Sequence, residues 1–155
     1  MQNPLKDLTA PAQSVPFSAQ AAVGVFLAYI FLVIGGGVSL FTGFLGEVSL
    51  HFEGLIPLSG ALVIFLSERA NRFVRFHAAQ ALVIGGAWIV VQLVFGILES
   101  IDALYRVIFY LDQFLYIAFI LLVVYTLYRA AYRSEIYKLP VIGGIAQSLI
   151  GGPVV

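Results

Sequence analysis

The chain has 155 residues, 61% of them hydrophobic and 10% charged, with basic and acidic side chains in equal number. Soluble domains carry roughly 25% charged residues, so this composition suits a bilayer better than water. The lack of cysteine excludes thiol catalysis, disulfides and cysteine-ligated metals, and the formal net charge of zero gives nucleic acid no hold.

Residues 1–18 set Pro4, Pro11 and Pro16 among polar side chains and read as a flexible cytoplasmic tail. The apolar stretch that follows is much longer than the ~7–15 residues of a signal-peptide core, and Asp7 directly follows Lys6, which argues against a secretory signal. A first span is expected over 19–45, tilted, bent or broken at Gly35, Gly36 and Gly37. Gly35, Ser39 and Gly43 recur every fourth position, which puts them on one helix face where a neighbouring backbone can approach.

Glu47, His51 and Glu53 form an acidic connection into a second span over 48–66. Its uncharged part is short, about 20 Å of helix. Either His51 and Glu53 therefore lie in the outer interface, or the bilayer thins around it. Pro57 suits a position near the helix start. Asn71 is the expected N-cap of a helix that continues through a third span at 78–98, a stretch without an ionisable residue and about 30 Å long.

Beyond it, Glu99, Asp102 and Arg106 alternate with Leu104, Tyr105, Phe109 and Tyr110 over 101–111, which suits a short helix lying in the interface, with Asp102 and Arg106 spaced to pair. Asp112 has two readings. As part of a span beginning near Arg106 it is a candidate intramembrane acid, because a carboxylate in hydrocarbon is costly without a partner or a role. As the N-cap of a fourth span over 113–132 it sits near the interface, and this second reading is the expectation. The helical domain then covers 19–146, and 147–155 form a C-terminal tail.

Four spans place Lys6, Arg69, Arg72, Arg75, Arg129, Arg133 and Lys138 on one side and Arg106 alone on the other. Under the positive-inside rule both termini face the cytoplasm, and the expected location is a prokaryotic cytoplasmic membrane. Tyr105, Tyr110 and Tyr116 near one boundary, and Tyr125, Tyr128 and Tyr132 near the other, form two aromatic belts.

No catalytic constellation emerges. His51 and His77 fall on opposite sides of the membrane, no glycine-rich phosphate loop carries a following lysine, and no serine has a neighbouring base. No cofactor or metal is expected. On the inner face, Phe73, His77, Gln80 and Ile84 share one side of the helix, while Arg72, Arg75 and Ala79 share another. Arg72, Arg75, His77, Gln80, Glu135 and Lys138 together make a candidate docking or lipid-phosphate face, with Glu68 or Glu135 available to pair with an arginine.

At these residues the chain resembles a known family. The phrase NRFVRFHAAQAL at 71–82 and the phrase AAYRSEIYKLPVIGGIA at 130–146 are similar to two signatures of a small prokaryotic membrane-protein family, itself similar to the Tic-twenty component of the chloroplast inner-envelope import translocon. The sequence departs from that pattern at Ser134, where glycine is usual, and at Gly144, where an acid is usual. The resemblance implies an all-α, polytopic membrane helical bundle of about four transmembrane helices and, from its chloroplast branch alone, a role in a protein-conducting complex. The expected function is that of a non-catalytic component of a membrane complex assisting polypeptide translocation or insertion. The alternatives are a small-solute or ion transporter using Asp112, or Glu99 with Arg106, and a structural or assembly subunit. The expected partners are the lipid bilayer and other membrane subunits or further copies of the chain.

Overall fold

The computed structural model describes residues 19–44, 55–68, 71–132 and 137–151. All regular structure among them is helical: α1 (Ala19–Phe44), α2 (Leu55–Ser67), α3 (Arg72–Glu99), α4 (Tyr105–Leu127) and α5 (Ile142–Leu149), with a π-helical turn (Tyr128–Tyr132) continuing α4. The expected tail at 1–18 and the connection bearing Glu47, His51 and Glu53 lie outside the described residues.

Helix α1 runs unbroken through its three consecutive glycines. Helix α2 is 13 residues long, half the length of α1. Helix α3 opens on Asn71, whose side-chain oxygen accepts from the backbone N–H of Phe73 and Val74 at 3.1 and 3.2 Å, as the sequence leads one to expect. Glu68 adds to the cap, its Oε1 accepting from the Asn71 N–H at 2.8 Å. Helix α4 begins at Tyr105 behind Leu104, which offers no side-chain cap. Two corrections follow. Residues 105–111 are the first turns of a long helix, not a separate interfacial one, and Asp112 lies inside that helix, not at its N-cap.

Before α5 the chain reverses in a γ-turn. The Ile142 N–H donates to the Pro140 carbonyl at 2.7 Å, across Val141 at φ 64° and ψ −58°. Helix α5 then folds back onto α3, burying Ala146 in a cluster with Phe76 and Ala79. Ala79 is therefore core, not part of an exposed arginine face.

The main core joins Val25, Ala28, Tyr29 and Leu32 of α1 to Ala61 of α2, Val74, Ala78, Ala81 and Ile84 of α3, and Phe119 and Val123 of α4. So many alanines mean that the helices approach closely, and three glycines mark the tightest contacts. A Cβ at Gly24 would come within 2.8 Å of a Val74 methyl, one at Gly85 within 2.8 Å of Leu58 and 3.0 Å of Leu32, and one at Gly60 would fall on the Phe31 ring. Of the small-residue stripe read from the sequence, only the side-chain surroundings of Gly35 fall among those described, and it is half-buried.

The outer surface is apolar. Val90, Val94 and Ile97 of α3 and Val107, Phe114, Ile117 and Leu121 of α4 are all exposed, whereas His77, Gln80, Gln92, Asp112, Gln113 and Thr126 are buried. That distribution inverts the rule for proteins in water and is the one a hydrocarbon solvent selects. Among the described residues α3 and the stretch Tyr105–Ala130 are long and apolar enough to cross a membrane, and α1 and α2 contribute shorter apolar stretches at Ala21–Gly35 and Leu58–Ser67.

Candidate functional site: two buried polar centres and a basic rim

The first centre joins α1 to α3. Gln80 Nε2 donates to the Tyr29 hydroxyl at 3.2 Å, and that hydroxyl lies 3.4 Å from His77 Nδ1, with all three side chains fully buried. Because the Tyr29 oxygen already accepts from Gln80, its own proton is available to the imidazole. Donation of that hydrogen bond to Nδ1 corresponds to the neutral tautomer of His77 with its own proton on Nε2. The ring stands edge-on to Phe73 at 4.7 Å, to Phe76 at 5.3 Å and to Tyr29 at 6.1 Å between centroids. His77 and Gln80 thus leave the docking face read from the sequence. They hold helices together from within.

The second centre joins α3 to α4. Gln92 Nε2 donates to Asp112 Oδ1 at 2.8 Å, and Asp112 is only 7% exposed. Each residue stands seven positions from the near end of its helix, about 10 Å along the axis. One turn further from those ends, Trp88 of α3 meets Tyr116 of α4 edge-on at 4.9 Å and stacks on Phe119 at 4.3 Å. Residues 88 and 92 on one helix therefore face 116 and 112 on the other, which is the register of an antiparallel pair. Tyr116 is consequently a core side chain and leaves the aromatic belt, in which Tyr105, Tyr110, Tyr125 and Tyr128 remain exposed. Gln113 is buried beside this centre, and its Oε1 has no hydrogen-bond partner.

The third group is a basic rim where α3 begins. Arg72 is exposed, and the half-buried Arg75 lays its guanidinium over the Phe65 ring of α2 at 5.1 Å. Arg129, in the π-helical turn, lies 5.0 Å from the Tyr137 ring and donates from Nη1 to the Tyr125 hydroxyl at 3.0 Å. Lys138 is exposed. Glu135 lies outside the described residues. Among those described, no group of three or more histidine and acidic side chains is placed to hold a metal.

Tyr29, Trp88 and Gln92 are contributors to these centres that the sequence alone does not single out. The available signal was polarity within otherwise uninterrupted hydrocarbon: a glutamine or a tyrosine deep in a span needs a partner there.

Apolar exterior, polar residues turned inward and helices of membrane-crossing length define an integral membrane protein of the helical-bundle class. Comparison with known proteins agrees. The chain is 31% identical over 113 residues to a UPF0132 membrane protein of Methanocaldococcus jannaschii, covering 67% of this chain and 94% of that one. It is 35% identical over 96 residues to another of Archaeoglobus fulgidus, covering 62% of this chain and 85% of that one. The chain belongs to the UPF0132 membrane protein family. No family model matches it, and no solved structure does.

Proposed function

We propose that the protein is a non-catalytic component of a membrane complex, with four spans and both termini on the cytoplasmic side, and that it assists the translocation or insertion of polypeptides. The observation that supports a non-catalytic role is the direction of its interior polar groups. Tyr29, Gln80, Gln92 and Asp112 reach one another across helix interfaces, where hydrogen bonds serve as glue between spans. A single copy fills its core with alanine, valine and larger apolar side chains such as Leu32 and Phe119, so a conducting path would lie between this bundle and its partners.

The exposed apolar face of α4 is the surface on which such contacts are expected. Photocrosslinking residues at Phe114 and Leu121 test this directly. Capture of nascent chains in transit supports assistance to translocation. Capture of a constant set of membrane subunits and no nascent chain supports an assembly role instead.

A second reading, a small-solute or ion transporter, is favoured by Asp112 alone, since an acid about 10 Å inside a span is a functional candidate by default. Proteoliposome flux lost in Asp112→Asn, with helix content and bilayer incorporation unchanged, would support it.

A further inference from the structure

Most polar side chains at the start of α3 are accounted for within the protein. Glu68 and Asn71 cap the helix, and Arg129 is engaged by tyrosines. Arg75 differs. Its Nε is buried without a hydrogen-bond acceptor, and the guanidinium is held by the face of Phe65, with no carboxylate opposite it among the described residues. A partly desolvated cation that is positioned by an aromatic ring and meets no counter-charge among the described residues is prepared for an anion from outside. Arg72 stands three residues earlier, one turn away on the same side of the helix, and is exposed.

The neighbouring surface says what kind of anion. Phe65 also packs against the Phe76, Ala79 and Ala146 cluster that seats α5, so Arg75 and α5 share a wall. While α5 turns Gly143 and Ala146 inward, Val141, Ile145 and Leu149, four positions apart, stay exposed. A free anion or a soluble acidic peptide would leave that aliphatic stripe in water. A lipid covers both parts at once.

We propose that Arg75, assisted by Arg72, binds the phosphodiester of an anionic phospholipid at the bilayer surface where α3 begins, with the stripe of α5 lying against that lipid's chains. The planar fork of a guanidinium suits two phosphate oxygens together, and Phe65 fixes the plane in which they are met.

Native mass spectrometry of the full chain in non-ionic detergent tests this, with phosphatidylglycerol, phosphatidylcholine and inorganic phosphate as probes. Wild type is expected to retain phosphatidylglycerol over phosphatidylcholine. Arg72→Gln and Arg75→Gln should each lower that retention about fivefold, the effect of one basic side chain at an anionic surface. Arg106→Gln, at the opposite end of the bundle, should leave it unchanged, and inorganic phosphate should not displace the lipid. Circular dichroism checks that each variant keeps its helices. Should Arg75→Gln fail to fold, Arg72→Gln and Ile145→Ser carry the test, both with reduced retention expected. Absence of a phosphatidylglycerol preference, wild-type retention in the double glutamine variant, or an equal loss in Arg106→Gln overturns the proposal. Displacement by inorganic phosphate overturns it in favour of a free-anion site.

Discussion

A carboxylate in the outer part of a helical hairpin can be a cap or a buried acid, and at Asp112 the difference is where its helix begins. A start at Gln113 would put the side chain on free backbone donors, whereas the actual start at Tyr105 carries it two turns inside to Gln92. The sequence held no means of choosing, because the partner is 20 residues away and uncharged. Asn71 was legible for the opposite reason: its oxygen meets N–H groups two and three residues on, so the motif is complete in the local chain. Asp112→Asn keeps an acceptor for the Gln92 amide and should leave stability nearly unchanged. Asp112→Leu leaves that donor buried and unpaired, and should cost about 1–3 kcal/mol. Gln92→Leu together with Asp112→Leu should recover part of the loss. Reversible unfolding in mixed micelles reads all three, and a double variant less stable than the sum of the single ones would refute the pairing.

Among the elements, the third span sits within α3, with Asn71 as its N-cap, whereas the start of α4 was displaced because no side chain marks it. The return of α5 onto α3 depends on Phe76 and Ala79 far back in the chain, a contact that its own glycine-rich sequence does not announce. Asn71→Ala removes the acceptor for two N–H groups and should destabilise the first turn of α3 by about 1 kcal/mol, measured as faster hydrogen exchange at Phe73 and Val74. Gly85→Leu forces a side chain into Leu58 and Leu32 and should cost about 1–3 kcal/mol in thermal unfolding. Val141 takes a positive φ that a β-branched residue resists while its side chain is 79% exposed. Val141→Gly should therefore raise stability by about 1 kcal/mol, and a lower melting temperature would refute strain at this turn.

Across the whole molecule, the composition made the class legible, because a chain this poor in charge must bury its exterior in hydrocarbon. It did not reveal which polar side chains would turn inward into the apolar core. That follows from pairs such as Tyr29 with Gln80 and Gln92 with Asp112, which exist only once the helices are assembled. The four-span arrangement has a direct test at Ser67, at the end of α2, and Ser100, after α3, both exposed. Cysteines at these positions should react with an impermeant maleimide from opposite faces of sealed vesicles, and labelling of both from one face would exclude a membrane-crossing α3.

The link between α3 and α4 spans only 100–104, and it makes Gln92 and Asp112 neighbours in synthesis as well as in space. An acid emerging alone into lipid would have to be neutralised or held back at the insertion machinery until a later helix arrived. Here the amide that receives it has already been made when Asp112 leaves the ribosome. The two helices can therefore enter the bilayer as one hairpin whose carboxylate is solvated from the first moment by its own preceding helix. The polar partner of Asp112 thus precedes it in the chain, and their pairing waits on no element made after α4.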